Sequence, residues 1–316
     1  MRRWLGLLGL LLLPALAHQA TSFGEEGTSG NLGRVAVFTA VFLVVLLGTA
    51  VLGLRQARRR GGSEITWAVF PTVVVAVVGA MVWMALWNYR PVGGARVVVE
   101  LTGQRYWWRV DYPEWGVVSA GEVWIPAGER VELRATSRDV FLSLSVPGLE
   151  LRMDAIPGQT TREWVRAPRP GVYGGTEVEY VGPSTDKMRL RILALPPETF
   201  YAFIEEASSY PGPAGGAPEL FLARCGGCHR VRGTAARGEK GPDLTLFANR
   251  TTFGSAVWPN REEFLSSWIR NAPGMKEGVA MPAFDDLGDE EVARLVSFLK
   301  TLGVEGYDFT PLGRVE

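Results

Sequence analysis

The hydrophobic pattern changes along the chain, and the first part is dominated by two long apolar segments. Residues 35–54 and 65–87 contain no charged side chain, and each is long enough to cross a bilayer as a helix. Neither has the polar face of a surface helix, so two membrane spans are predicted. The loop RQARRR, residues 55–60, carries four arginines between them. It therefore predicts a cytoplasmic hairpin, with the chain after the second span on the outer face.

A shorter apolar run precedes these spans. It follows two arginines and ends before the sequence Ala15-Leu16-Ala17, an arrangement typical of a secretory signal peptide. We expect a signal peptide over residues 1–17, cleaved after Ala17. The alternative is an uncleaved anchor, for which the run is short. The N-terminal segment and the hairpin then occupy residues 18–94.

Between residues 95 and 197 the pattern becomes that of short β-strands. Runs rich in β-branched and aromatic residues are separated by Gly, Pro and Asp. About 100 residues of such runs predict a sandwich or a barrel. Five runs support the prediction: RVVVEL (96–101), YWWRVDY (106–112), GEVWIPAG (121–128), RVELRAT (130–136) and KMRLRILAL (187–195).

The rest of the chain has a helical pattern. The sequence YPGPAGGAP, residues 210–218, indicates an extended linker, which we place over residues 198–217 ahead of a domain spanning residues 218–316. Near the end of that domain, acidic residues 289–291 favour the start of a helix, and Gly303 offers a stop. The apolar positions at helical spacing are Val292, Leu295, Val296, Leu299 and Leu302.

Charge and cysteine content narrow the function. Lys+Arg and Asp+Glu both number 33, so no net charge indicates a nucleic-acid partner. Both cysteines of the chain lie in CGGCH, where Cys225 and Cys228 can bond covalently to haem and His229 can ligate its iron. A zinc site would need further Cys or His ligands that the chain lacks, and a thioredoxin-like site expects a βαβ unit. We therefore predict one covalent haem c.

A haem that shuttles electrons needs a sixth iron ligand, and a methionine thioether suits a carrier. Met281, before a proline and ahead of the final helix, lies where small cytochromes c usually place this ligand, and Met275 is the alternative. Residues 241–244, GPDL, resemble the loop that packs a proline against the proximal histidine. Arg250 and Trp268 are candidate partners of the haem propionates, although either could equally be an ordinary surface or packing residue.

Taken in order, these segments resemble subunit II of haem–copper oxidases, in the form fused to cytochrome c. Glu64 to Trp67, with Pro71 following, resembles the start of that family's second membrane helix. The resemblance implies a multi-domain membrane protein with a two-helix transmembrane hairpin, an all-β cupredoxin-like domain and an all-α cytochrome c domain. Three motifs resemble the cupredoxin core: GQRYWWRVDYPE (103–114), RMDAIPGQ (152–159) and RPGVYGG (169–175).

The copper ligands of that family are largely replaced here. In the family the β domain holds a dinuclear copper centre, CuA, and two bridging thiolates hold it together. We expect no copper in this chain, because carboxylate and valine cannot replace thiolates for copper of this type. The resemblance places Leu142 and Thr185 at the two histidine positions and Glu177 and Val181 at the two cysteine positions, while Glu179 and Met188 match the family's remaining ligands. We expect the loop to keep its shape in order to dock onto a partner.

The resemblance matches two further positions to functional residues of the family. The family's tryptophan that receives electrons from soluble cytochrome c falls on Tyr106, with Trp107 and Trp108 beside it. Without copper that entry route has no purpose, and tryptophans in such a strand are most often packing residues. Glu64 matches a glutamate at the cytoplasmic mouth of a proton channel, and it could equally be an interfacial charge without a role.

The resemblance implies an electron-donor subunit rather than a catalyst, in a bacterial cytoplasmic membrane with both folded domains on the outer face. Its partners would be a large haem-containing catalytic membrane subunit and an external donor such as a cytochrome c, a small copper protein or a quinol-oxidising complex. The missing copper ligands favour nitric oxide reduction by the complex. One alternative is a divergent cytochrome c oxidase that reduces oxygen, and another is a membrane-tethered cytochrome c that acts alone as a shuttle or sensor.

Overall fold

A computed structural model describes residues 71–80 and 95–313, together with residues 48, 51, 55 and 83. The chain divides into two compact units, Met1–Gly94 and Ala95–Glu316. Residues 71–80 are helical, and in the described part of the chain no helix has the length and apolar character needed to cross a bilayer. The predicted signal peptide, Glu64 and most of the two predicted spans lie outside the described residues.

The second unit begins with a sandwich of two five-stranded sheets. Their strands are β1 Val97–Gln104, β2 Trp107–Tyr112, β3 Val117–Ala120, β4 Glu122–Pro126, β5 Val131–Ser137, β6 Leu142–Val146, β7 Leu151–Ala155, β8 Thr161–Val165, β9 Gly171–Glu177 and β10 Arg189–Leu195. The strand order is β3-β2-β1-β5-β8 in one sheet and β4-β10-β9-β6-β7 in the other. Strand β1 is antiparallel to β2 and parallel to β5, and β10 is antiparallel to β9 and parallel to β4.

The alternation of apolar and polar residues explains why these segments form strands. In β1 and β5 every second residue is buried, as expected when one face of a strand packs on a core. The five runs found from the pattern correspond to β1, β2, β4, β5 and β10. Buried Tyr112 ties the sheets together, because its hydroxyl accepts the Trp124 N–H at 2.6 Å and donates to the Trp124 carbonyl at 2.9 Å.

The predicted linker contains a helix. Helix α1, Pro197–Ser209, begins with proline at its first turn and buries Phe200, Phe203, Ile204 and Ala207 at helical spacing. Phe203 packs edge-on against Trp124 of the sandwich, with ring centroids 5.0 Å apart. Most of the segment expected as linker over residues 198–217 is therefore part of the β-sandwich domain, and the extended chain is confined to the Pro/Gly-rich stretch from residue 210.

The C-terminal domain is helical, and its last residues return to the sandwich. Its helices are α2 Glu219–Arg224, α3 Glu262–Met275 and α4 Asp289–Lys300, with a small hairpin of β11 Thr252–Phe253 and β12 Trp258–Pro259. The predicted final helix is confirmed, and the Glu291 carboxylate accepts the Gly288 N–H at 2.9 Å at its start. Beyond α4, Phe309 packs on Phe203 at 5.0 Å, so residues after 303 complete the sandwich core.

A buried carboxylate joins the two domains. Glu122 of β4 has no exposed surface, and its oxygens accept hydrogen bonds from the Thr251 N–H at 2.9 Å and the Thr251 hydroxyl at 2.6 Å. The Thr252 hydroxyl donates to the same carboxylate. The start of the β11–β12 hairpin is therefore fixed against the sandwich.

Candidate functional site

The CGGCH motif forms a tight turn at the end of α2. The Cys225 N–H donates to the Phe221 carbonyl at 2.8 Å, and the Cys228 and His229 N–H groups donate to the Cys225 carbonyl at 3.1 and 3.0 Å. Gly238 packs on this turn so closely that a Cβ there would lie 2.3 Å from the Cys228 carbonyl carbon. The backbone therefore fixes the relative positions of the two thiols and the imidazole.

A cavity of about 250 Å³ opens at this turn. Cys225, Cys228 and His229 line it, and Met281 lines it too, whereas Met275 does not. The geometry thus favours Met281 over Met275 as a sixth ligand. Apolar side chains form most of the wall, as a porphyrin ring requires: Phe221, Leu244, Phe247, Phe253, Leu265, Ile269, Leu295 and Leu299.

His229 is oriented for iron ligation. Its Nδ1 lies 2.8 Å from the Pro242 carbonyl oxygen, so the Nδ1–H donates there and Nε2 keeps its lone pair. Burial, with the nearby charge of Arg250, lowers the pKa of His229 and favours the neutral ring. Gly241 is needed at its position, since a Cβ there would come within 2.6 Å of the imidazole Cε1. The GPDL loop therefore acts through its proline carbonyl.

Arg250 supplies a buried cation to the same cavity. It is 4% exposed, and its Nη2 donates to the Asp243 carbonyl. Its Nε is buried and has no hydrogen-bond partner within residues 95–313. Burial lowers the pKa of Arg250 to about 10, which leaves the side chain charged at neutral pH. An unpaired guanidinium donor in an apolar cavity fits the propionate of a haem.

Trp268 also lines the cavity, and its ring is part of an aromatic cluster. Its centroid lies 4.9 Å from that of Trp258 and 5.8 Å from that of Phe253. The position of Trp268 is therefore compatible with both alternatives, a propionate partner and a packing residue, because Trp268 packs within the domain and lines the cavity.

The β-sandwich domain closes part of the cavity, which the sequence did not predict. Residues 104–107, with Ala120 and Gly121, contribute to the lining, and so does Lys276 of the C-terminal domain. Tyr106, at the position matched to the electron-accepting tryptophan, is 5% exposed. Trp108 is buried in the sandwich core, while Trp107 reaches the cavity. The aromatic strand therefore lies against the candidate haem site.

The residues that the resemblance matches to copper ligands pack into the fold. Leu142 and Met188 have no exposed surface. Gly103 makes room for Leu142, because a Cβ at residue 103 would lie 2.2 Å from Leu142 Cδ1. The Glu177 N–H donates to the Met188 carbonyl at 3.0 Å, so these positions from β6, β9 and the following loop are brought together.

Glu177, which the resemblance matches to a thiolate ligand, is a carboxylate that accepts hydrogen bonds from nearby backbone groups. Its Oε1 accepts the N–H groups of Ser143 at 2.7 Å and Glu179 at 3.0 Å. Its Oε2 is buried without a hydrogen-bond partner among the described residues. Desolvation raises the pKa of Glu177 despite those backbone donors. The position therefore favours a proton more than an ordinary glutamate does.

The rest of the loop is stabilised by hydrogen bonds and packing contacts with other residues of this chain. Thr185 Oγ1 accepts the Val181 N–H at 3.0 Å and donates to the Gly182 carbonyl at 2.7 Å. Gly182 has a φ of 133°, and a Cβ there would lie 2.1 Å from the Tyr106 hydroxyl oxygen. Glu179 is half-exposed and lies 3.9 Å from the Arg152 guanidinium. The loop shape is thus stabilised by protein contacts.

Comparison with known proteins assigns both domains. Residues 117–194 match the family described as cytochrome c oxidase subunit II, periplasmic domain, and residues 217–303 match the cytochrome c family. Subunit 2 of cytochrome c oxidase from Alkalihalophilus pseudofirmus is 30% identical over 262 residues, which cover 79% of this chain and 76% of the relative. The chain belongs to the cytochrome c oxidase subunit II family. It is a subunit II fused to a C-terminal cytochrome c domain, and that domain implies haem c.

Other relatives are more distant. Cytochrome c oxidase subunit 2 of Bacillus sp. PS3 is 24% identical over 266 residues, which cover 77% of this chain and 74% of the relative. The crystal structure of the periplasmic domain of subunit II from Bradyrhizobium japonicum shares 22% identity, with a TM-score of 0.36, over 37% of this chain and 97% of that structure.

Proposed function

We propose that this chain is the electron-transfer subunit of a membrane haem–copper oxidase complex and passes electrons from one haem c directly to the catalytic subunit. One observation carries the proposal: the CGGCH motif and Met281 line a single cavity together with residues 104–107 of the β-sandwich domain. A group held in that cavity would contact both domains. Its position relative to the β-sandwich domain would then be fixed by the fold, although the Pro/Gly-rich stretch from residue 210 is extended chain.

The residues present fit a haem of the c type. Haem c supplies reversible one-electron chemistry at its iron. Cys225 and Cys228 would hold it through thioether bonds, and His229 would ligate through Nε2. Met281 would provide the sixth ligand, which leaves no open iron position for a substrate or a gas. This ligand set favours an electron carrier over a catalyst or a sensor.

The propionates also have candidate partners. Arg250 lines the cavity as a buried cation, and Trp268, whose indole N–H is a hydrogen-bond donor, lines it too. A buried cation near the haem stabilises the reduced form, because the reduced haem carries one less positive charge.

We further propose that no copper relay operates in this chain. Support comes from Leu142 and Met188, which are fully buried, and from Glu177, whose Oε1 already accepts two backbone N–H groups. Neither thiolate position carries sulfur. A haem held by Cys225, Cys228 and His229 would supply one-electron transfer to the catalytic subunit without a copper relay.

Oxygen is the acceptor that the relatives favour. Those described above are named as subunits of cytochrome c oxidase, and none of them is named for nitric oxide reduction. The expectation of nitric oxide reduction rests only on the missing thiolates at residues 177 and 181, so it becomes the second candidate.

The location follows from the same family. The matched domain is described as periplasmic, which supports an outer-face position for residues 95–313, and the apolar segments 35–54 and 65–87 support a membrane anchor. The external donor remains one of the classes predicted from the sequence. A proton-channel role for Glu64 also stays a prediction.

The proposal is tested on the complex purified from native membranes through a tag on this chain. Oxygen consumption and anaerobic nitric oxide consumption are measured with the same reduced donor, and iron and copper are counted per complex. We expect a large membrane subunit to co-purify, oxygen turnover to dominate, and no copper beyond that of the catalytic subunit.

Each other result has a definite meaning. Dominant nitric oxide turnover would select the second candidate. Two additional copper ions per complex would overturn the direct haem route. Purification of this chain without a large membrane subunit would leave the tethered cytochrome as the surviving alternative.

A further inference from the structure

Lys276 is a fully buried cation that the haem ligand set does not use. It follows α3, is 1% exposed, and lines the cavity. Its Nζ donates to the backbone carbonyls of Lys187 at 2.6 Å, Tyr106 at 2.7 Å and Gly254 at 3.1 Å. An ammonium group has three N–H donors, and all three are satisfied here.

The three acceptors come from both domains. Tyr106 and Lys187 belong to the β-sandwich domain, and Gly254 belongs to the β11–β12 hairpin of the C-terminal domain. A return contact runs beside them, in which Lys187 Nζ donates to the Met275 carbonyl at 2.9 Å. Lys276 therefore connects the aromatic turn at Tyr106 to the segment that leads to Met281.

We propose that Lys276 is a positioning residue for electron transfer, which fixes the aromatic turn of the β-sandwich domain against the haem cavity and keeps a positive charge in its wall. The charge part of this inference rests on the proposed function, since it presumes a redox-active haem in the cavity. The positioning part rests on the hydrogen bonds alone.

The environment of Lys276 supports both parts. No carboxylate within residues 95–313 forms an ion pair with it, so its charge is not neutralised by a partner. Burial and the neighbouring Lys187 lower the pKa of Lys276 to about 7. The three carbonyls oppose that shift, because a neutral amine has only two N–H donors. At pH 6 the side chain is charged.

The experiment compares Lys276→Met with Lys187→Met in the purified complex at pH 6. Both variants remove an ammonium group that donates to backbone across the domain boundary, but only Lys276 lines the cavity. The haem midpoint potential is measured by redox titration, and hydrogen–deuterium exchange is followed at residues 105–107 and 254. Lys276→Met should make the haem about tenfold easier to oxidise, equivalent to about 59 mV, and speed exchange in both segments.

Lys187→Met should shift the redox equilibrium less than about twofold, because its ammonium lies outside the cavity. Unchanged potential and unchanged exchange in a haem-loaded Lys276→Met protein would overturn the proposal. If that variant accumulates no haem, Lys276→Arg takes its place. The arginine keeps the charge but cannot reproduce three converging short bonds, so it should retain the potential while exchange at residues 105–107 rises. Wild-type exchange there would overturn the positioning role.

This test separates failure of the inference from failure of the proposed function. Loss of the catalytic subunit from the preparation would contradict the proposed function, whereas the potential and the exchange rates are read on this chain whether or not the partner is present.

Discussion

The candidate haem cavity and the loop of residues 177–188 occupy neighbouring parts of one molecule, yet only the first leaves open space beside its polar groups. At the cavity, Arg250 Nε has no partner among residues 95–313, and His229 keeps Nε2 free to ligate a metal. In the loop, Thr185 satisfies neighbouring backbone groups and Leu142 fills the space beside Gly103. A buried atom without a partner among the described residues occurs in both regions, at Arg250 Nε and at Glu177 Oε2. The open cavity that Arg250 lines therefore distinguishes the ligand site from the packed loop.

The largest effect that tests this comparison is loss of haem. Replacing Cys225 and Cys228 together by serine should abolish covalent haem, since hydroxyl groups do not form the thioether bonds. Haem staining of the denatured chain measures it directly. The matched change in the other region is Thr185→Val, which should leave haem content at the wild-type level. Haem loss in the Thr185 variant would mean that the two regions are not independent.

The next effect is on the sixth iron ligand. Met281→Leu keeps an apolar side chain of similar size but removes the sulfur, so the reduced haem should bind carbon monoxide and its midpoint potential should fall. Met275→Leu should do neither, because Met275 does not line the cavity. Visible spectra of the reduced proteins with and without carbon monoxide distinguish them. Carbon monoxide binding by the Met275 variant alone would reverse the assignment.

Much of this arrangement was predictable because it depends on local pattern. Runs of β-branched and aromatic residues predicted strands such as β1 and β5, helical spacing predicted α4, and the CGGCH spacing predicted the site of haem attachment. The resemblance matched Leu142 and Glu177 to ligands of one copper centre, and these two residues lie on the paired strands β6 and β9.

The remainder depends on contacts between distant segments. Helix α1 lies in the segment predicted as linker from the Pro/Gly-rich stretch beside it, and its packing on Trp124 shows that it belongs to the sandwich. Glu122 and Lys276 look like surface charges in sequence. Their burial needs partners more than 100 residues away, as Thr251 and Tyr106 are. No local pattern encodes such partners.

A third test asks whether the cavity depends on the domain junction. Glu122→Gln exchanges one acceptor oxygen for an amide donor, so a buried donor of Thr251 or Thr252 loses its partner. We expect the free energy of unfolding of the C-terminal domain to fall by about 1–3 kcal/mol. Chemical denaturation followed at the haem Soret band measures it.

The matched control is Glu100→Gln, since Glu100 is half-exposed and lies 3.7 Å from Arg134. Such a surface pair contributes about 0–1 kcal/mol, so this variant should remain close to wild type. An equal loss of unfolding free energy in the two variants would show that the buried carboxylate of Glu122 stabilises the protein no more than a surface carboxylate does.

The smallest expected effect concerns the loop of residues 177–188. Desolvation raises the pKa of Glu177 in the folded protein above that of an unfolded glutamate. The folded state therefore binds more protons than the unfolded state between those two pKa values, and the contribution of Glu177 to stability falls as pH rises through that window.

Glu177→Gln keeps an oxygen for the Ser143 and Glu179 N–H groups but cannot ionise. Relative to wild type, it should gain stability as pH rises from acidic to neutral, measured as the difference between their unfolding free energies at matched pH. If the two unfolding free energies change with pH in parallel, the Glu177 carboxylate is solvated as an ordinary surface group. The loop would then not be packed closed, and its contrast with the open haem cavity would fail.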